Sequence, residues 1–387
     1  MSQLPAETMS VRDVIAKSLV SRRLELGLLP LLLSCPFMYF PRILEGDTQP
    51  WVLLAALIAL FTFRTDRFVL KKDLSLVCLS LLAVLVYAVR GGSGADLVRV
   101  VYTQAMFICL WLVCSRDKFG FMLSAVRLTV VVWFVVGMYQ YLFIAFGWPV
   151  EIAGRYIEGR SGVPSIASEP STYGCLSILH MMSLISENRA RNTPYIAAAA
   201  VSVVLSGSLL GLLLLVFPLL KLNVKWRLFA LLSVPLLIIG DYSMTSAGVA
   251  SRVSGMASFG DGIMRLALDP SLNLRAGHIY FTLWANFWSS VLMMAPVDFM
   301  NQYNAFAGGS VVFVPTGSNF ILSGVGDMIY SFGAIGALLL VLFIKKSQER
   351  LATPVKKIID VGFMLACVLN PIYLSNVFLV LYARQKK

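Results

Sequence analysis

Runs of apolar side chains about as long as a bilayer is thick recur along this chain, and they leave few folds open to it. A membrane-crossing helix needs roughly 20 predominantly apolar residues. Runs of that kind stand at 24–44, 74–89, 98–114, 123–147, 170–186 and 319–344, with a shorter one at 51–63. Only 13% of the 387 residues are charged, against about a quarter in ordinary soluble domains. None of the runs keeps the period-two alternation of a membrane β-barrel. The expected fold class is therefore all-α: a polytopic helical membrane protein forming one domain over 1–387.

The charges between the runs orient it. With Arg22 and Arg23 placed inside, the connections at 64–72, 116–127, 187–193, 221–227 and 345–357 fall on the cytoplasmic side together with both tails. Of the 32 basic residues, eight fall outside, and all eight are arginine: Arg42, Arg90, Arg99, Arg155, Arg160, Arg252, Arg265 and Arg275. Every lysine is inside, as the positive-inside rule requires. The net charge of +12 thus reports topology and gives no support to a nucleic-acid partner. The first run follows Arg22 and Arg23 and lacks a small-residue cleavage site, so it reads as a retained signal anchor.

Two apolar stretches need a turn to keep this parity. Residues 194–220 and 358–383 are both bracketed by cytoplasmic basic residues, and each fits a hairpin of two short helices, turning at "SGS" (206–208) and at "LNP" (369–371). Proline removes a backbone donor and disfavours helix before it. Irregular backbone at such depth is tolerated only inside protein or along a wet cavity, so both turns point towards an internal site. The count reaches about twelve spanning segments of the length a bilayer requires, with two large outer loops at 148–169 and 244–318. Residues 279–297 are apolar enough to span, but a crossing there would put Lys345, Lys346, Lys356 and Lys357 outside. They read as an interfacial helix with Trp284 and Trp288 on one face. The six cysteines lie within apolar runs without metal-ligand spacing, and are expected as free thiols.

The outer segments hold the chemistry. Ser168, Glu169 and Pro170 resemble a helix start, with Ser168 as cap and Pro170 in the first turn. Glu169 is then either a capping carboxylate favoured by the helix dipole and paired with Arg160, or a reactive group. Arg275 and His278 are three residues apart, on one face of a helix. Arginine at an interface is commonly a snorkelling anchor; its exclusive use outside also fits a planar donor for phosphate oxygens. Asp327 lies in an apolar run, where an ionisable residue faces an interior. Pairing with Tyr or Ser is expected there ahead of catalysis.

Four segments, "GRSGVPSIASEPSTYG" (159–174), "VVLSGSLLGLLLLV" (203–216), "RAGHIYFTLW" (275–284) and "TGSNFILSGVGDMIYSFGAIGALLL" (316–340), resemble in that order recurring segments of the Wzy-type O-antigen polymerases. The resemblance covers about 155–340 of the chain. It implies a lipid-linked glycosyltransferase of the C class in the bacterial inner membrane, both termini cytoplasmic. Such an enzyme transfers a growing glycan from undecaprenyl pyrophosphate to another lipid-linked repeat unit at the periplasmic face. Membrane lipids and a chain-length regulator protein are the implied partners. Two departures stand out: Leu209 follows Ser208 where many relatives carry arginine, and Ser318 precedes Asn319 where ligase-like members carry histidine.

On this reading Arg155, Arg160, Arg252, Arg275 and Asn319 are the candidate substrate-binding residues. Pyrophosphate is a leaving group that needs charge stabilisation more than a proton, so Arg160 and Arg275 can form an electrostatic clamp. Glu169 and His278 are the candidate catalytic residues, since either could accept the proton of the acceptor hydroxyl. The outer segments contain no DxD pair or His/Asp cluster at metal-ligand spacing, and no metal or other cofactor is expected. The alternatives are an O-antigen ligase, which would make a single transfer to lipid A core, and a non-enzymatic flippase or transporter of lipid-linked glycan.

Overall fold

A computed structural model describes residues 51–62, 70–92, 94–116, 121–146, 162–167, 170–186, 190–219, 270–292, 298–310, 312–317 and 321–348. They form helices and connecting segments, and no β-strand element occurs among them. In chain order the helices are α1 (Trp51–Thr62), α2 (Leu70–Val89), α3 (Gly94–Arg116), α4 (Phe121–Ala145), α5 (Pro170–Ser186), α6 (Thr193–Leu205) and α7 (Leu209–Leu219). They continue with α8 (Pro270–Tyr280), α9 (Phe287–Val291), α10 (Phe299–Gly308) and α11 (Gly324–Gln348). The protein is all-α.

Two bundles share one core. In the first, α5 packs against α4, α6 and α7, and the residues from Tyr173 to Ile185 are all buried. A helix apolar on every side is stable only when it is surrounded. In the second, α2 packs against α3 and α11, and α1 against α3. The buried stripe of α2 is Ser80, Ala83 and Tyr87, while Leu81, Leu82, Leu85 and Val89 face outward. On α4 the buried face is mixed, with Val126, Val130 and Trp133 beside Thr129 and Gln140, while Val131, Val135 and Leu142 are exposed.

Among the described residues one helical stretch, Leu123–Phe143, is both long and apolar enough to cross a membrane; Val77–Val89, Thr193–Leu205, Leu210–Leu219 and Gly324–Leu339 are shorter apolar helices. The expected hairpin at 206–208 is present: α6 and α7 are joined by a buried turn, and Val203 packs against Gly211 across it. The turn expected at 369–371 and the apolar run at 24–44 lie outside the described residues.

The run at 319–344 is not one continuous span. α11 starts at Gly324 and breaks at Gly333, where φ is 58° and ψ is −139°. Glycine adopts this left-handed geometry without the steric penalty of a Cβ. Residues 279–297 also differ from a single helix. α8 passes into a π-helical turn at Phe281–Ala285, and α9 follows. Trp284 is 75% and Trp288 71% exposed, so the two indoles do stand on an outward face.

Candidate functional site

The chain entering α5 passes through the interior. Residues 163–167 are buried, and the Val163 amide donates to the Leu205 carbonyl at 3.0 Å. This lays the segment on the α6–α7 turn. Gly162 lies so close to the Ser206 carbonyl that a Cβ there would collide with it, and its φ of 90° is one that glycine tolerates. In the turn, the Ser206 hydroxyl donates to the Val203 carbonyl at 2.6 Å, and Ser208 Oγ accepts from the Gly211 amide at 3.1 Å, capping α7. Gln140 reaches in from α4. Its Oε1 accepts from the Ser165 amide at 2.7 Å, and its Nε2 donates to the Ser165 carbonyl at 2.9 Å.

A second set of contacts surrounds α8. His278 is fully buried, between the rings of Phe299 and Tyr303, whose centroids lie 4.7 and 4.6 Å away in edge-on arrangements. Its Nδ1 accepts from the Leu322 amide at 3.1 Å, which ties α8 to the entry of α11. The ring proton is therefore assigned to Nε2, and Nε2 has no hydrogen-bond partner among the described residues. Burial, and after it the neighbouring charge of Arg275, hold the imidazole pKa at about 4. Asn273 and Asn304 brace this region. Asn273 accepts from the Val314 amide and donates to the Val312 carbonyl; Asn304 accepts from the Thr316 amide and donates to the Thr316 carbonyl. The extended segment 312–317 is thus fixed by two side-chain amides standing in for a neighbouring strand.

The first half of α11, from Gly324 to the break, is held at both ends. At its start, Ser323 Oγ accepts from the Gly326 amide at 3.0 Å, and Gly326 lies against Thr282. Near its end Arg90, buried just past the C-terminus of α2, donates to the Tyr330 carbonyl. Between them Asp327 accepts a 2.6 Å hydrogen bond from Ser331 Oγ, which is the serine pairing expected of it, and Arg99 interacts with it electrostatically.

Of the sequence-derived candidates, Arg275 and His278 are both buried and lie close enough to interact electrostatically, and His278 is bonded to Leu322. Arg155, Arg160, Glu169, Arg252 and Asn319 lie outside the described residues. His278 is held by a backbone bond to the start of α11. Its accepting nitrogen is already engaged, and its low pKa makes it a weak proton acceptor. What it presents is a neutral N–H donor and a tie between α8 and the entry of α11.

Three residues join the site that the sequence had not singled out: Gln140, Arg90 and Arg99. Gln140 had a signal, a carboxamide in the middle of an apolar run. Arg90 and Arg99 had one too, as arginines beside apolar entries. Among the described residues no group of three His, Cys, Asp or Glu side chains is placed to hold a metal, and Cys78, Cys109 and Cys175 are free thiols. The arrangement offers guanidinium groups at the edge of a low-dielectric interior, where charge-assisted hydrogen bonds to an anion are strong. Comparison with protein-family models, with curated proteins and with solved structures finds no match.

Proposed function

We propose that this protein is a polytopic inner-membrane glycosyltransferase that joins undecaprenyl-pyrophosphate-linked repeat units into a surface polysaccharide of the O-antigen type. About twelve segments of bilayer-spanning length cross the membrane, and both termini are cytoplasmic. The membrane reading draws on the apolar outward faces of α2 and α4, with Leu81, Leu85, Val89, Val131 and Val135 exposed. In water such an arrangement would expose apolar patches that soluble monomers avoid.

The observation that carries the enzymatic reading is the convergence of arginines on one short stretch. Arg90 binds at Tyr330, Arg99 acts on Asp327, and Arg275 neighbours His278, which holds Leu322. All three are assigned to the outer face by the charge distribution; Arg90 and Arg99 act on residues 327–330 directly, and Arg275 is linked to Leu322 only through its neighbour His278. A pyrophosphate leaving group carries its charge on oxygens that planar guanidinium groups match in pairs. In the proposed reaction, the acceptor hydroxyl attacks the anomeric carbon, the bond from that carbon to the pyrophosphate oxygen breaks with its electron pair going to that oxygen, and the additional negative charge on the departing lipid pyrophosphate is stabilised by Arg160 and Arg275. Glu169 takes the hydroxyl proton, since His278 lacks an open acceptor nitrogen.

The test is incubation of the purified protein, reconstituted in lipid, with a lipid-linked repeat unit. A ladder of longer lipid-linked chains is expected. A single transfer onto added lipid A core in place of a ladder would make it a ligase, and folded protein yielding no transfer product would overturn the enzymatic reading.

A further inference from the structure

Residues 163–167 pass between α4, α5 and the α6–α7 turn as irregular buried backbone. At Ser165 the chain turns left-handed, with φ of 53°, and no other non-glycine residue does so among the described residues. An L-residue is strained there, because its Cβ approaches the following carbonyl. Such strain persists only where the surroundings over-determine it. One side chain supplies most of that determination: Gln140, itself fully buried, bonds both the amide and the carbonyl of Ser165. A third bond, from Ser165 Oγ to the Trp133 carbonyl at 2.7 Å, comes from the same helix two turns earlier.

The position of this strained residue matters. Two residues before it, Val163 is bonded to Leu205, and Gly162 lies against Ser206. Five residues after it, Pro170 opens α5, and the residue before that proline is Glu169. The backbone at Ser165 is thus where the chain changes direction between the α6–α7 turn and the head of α5.

We propose that Gln140 is a positioning residue of the transfer reaction. Its carboxamide holds Ser165 left-handed and thereby fixes the 162–167 segment between the α6–α7 turn and α5. The reaction named here rests on the polymerase reading; the clamp rests on the geometry alone.

The test uses four variants of the full-length protein in lipid: Gln140→Leu, Ser165→Gly, Ser165→Ala, and Gln140→Leu with Ser165→Gly. With abundance matched, Gln140→Leu is expected to lower kcat for ladder formation at least tenfold with KM changed less than twofold. Glycine accepts the left-handed backbone and alanine does not, so Ser165→Gly should keep more activity than Ser165→Ala although both lose the hydroxyl. Adding Ser165→Gly to Gln140→Leu should recover at least threefold of the lost rate. A kcat for Gln140→Leu within twofold of wild type, or alanine matching glycine at 165, would overturn the proposal. Thermal midpoints of the same four proteins read the clamp without any reaction: the double variant should be more stable than Gln140→Leu, and the absence of that recovery would also overturn it. If the wild type makes no ladder while this recovery is seen, the polymerase reading fails and the clamp stands.

Discussion

Arg90, one residue beyond α2, donates to the backbone carbonyl of Tyr330 and places its guanidinium carbon 5.9 Å from the centre of the Tyr330 ring. The amide that would follow Tyr330 by four residues belongs to Ala334, on the far side of the break at Gly333. Arg90 therefore supplies a donor where α11 is interrupted, and its charge complements the negative end of the helix half that stops there. A helix broken inside the protein, with a side chain completing its hydrogen bonding, is the form in which irregular backbone is tolerated away from water.

Removing this cap should be felt as stability. Arg90→Met keeps the length of the stem and removes the charge-assisted donor to the Tyr330 carbonyl, a loss of about 1.5–3 kcal/mol. Gly333→Ala forces a side chain onto φ of 58° with ψ of −139°, outside the small left-handed α region open to L-residues, at about 1–3 kcal/mol. Both variants should unfold at lower temperature than wild type in the same detergent. An unchanged midpoint for Arg90→Met would mean that the contact with Tyr330 contributes nothing to holding α11.

What the sequence made legible, and what it did not, follows from what hydropathy can register. The α6–α7 turn was readable because basic residues bracket a run too long for one short helix and because "SGS" is a chain of small, turn-forming residues. The break in α11 was not, since Gly333 and Gly336 sit in an apolar run and hydropathy is blind to backbone geometry. The Arg90 contact spans 240 residues of sequence, and nothing local to Arg90 distinguishes a cap on a distant helix from an arginine at a membrane surface. His278 was found by its spacing from Arg275. Its role depends on which nitrogen meets the Leu322 amide, and that is a tertiary fact.

The His278 geometry makes a pH prediction. The imidazole is held near pKa 4 in the folded protein, below its ordinary value of about 6.5. Protonation thus favours the unfolded chain, so the His278 contribution is fully present above about pH 6.5 and is lost as pH falls towards 4. The full effect is on the order of 3 kcal/mol. His278→Asn puts an acceptor where Nδ1 stands and cannot be protonated in this range, whereas His278→Gln reaches the Nε2 position. Thermal midpoints at pH 5 and pH 8 should therefore differ less in the Asn variant than in wild type, and Asn should outperform Gln in activity. Retention of the full wild-type pH difference by the Asn variant would locate it in another group.

The outer assignment of α8 and α9 can be tested by labelling. Trp284 and Trp288 are the most exposed of the aromatic residues there, and single cysteines in place of neighbouring residues such as Ala285 should react with an impermeant thiol reagent applied to intact spheroplasts. Cysteines within 345–357 should react only after permeabilisation. Labelling of the latter segment from outside would reverse the topology on which the arginine assignments rest.

Lysine substitution separates a pyrophosphate clamp from an interfacial anchor. Arg275 is buried and neighbours His278; Arg160 is its proposed counterpart in the first outer loop. A lysine retains the charge and loses the planar fork. Each charge-assisted hydrogen bond lost is worth on the order of 1.5–3 kcal/mol, so Arg160→Lys and Arg275→Lys should each reduce ladder formation by roughly tenfold to a hundredfold at matched abundance. Two fully active lysine variants would leave both arginines as anchors.

The sharpest division concerns Glu169. The proposed reaction makes this carboxylate the acceptor of the sugar proton, and a general base loses its function when it can no longer accept a proton. A residue that only caps α5 or orients Arg160 needs a hydrogen-bond acceptor in the same place, and glutamine keeps one. Glu169→Gln should therefore insert and fold normally and still form ladders far more slowly than wild type, while Glu169→Asp keeps part of the rate. Ladders measured across a pH series should show the wild-type rate falling on the acid side as the carboxylate is protonated, and the residual rate of the Gln variant should lack that limb. A Gln variant with a normal ladder would make Glu169 architectural. Because His278 offers no open acceptor nitrogen, the proton would then have to leave through water held at the site.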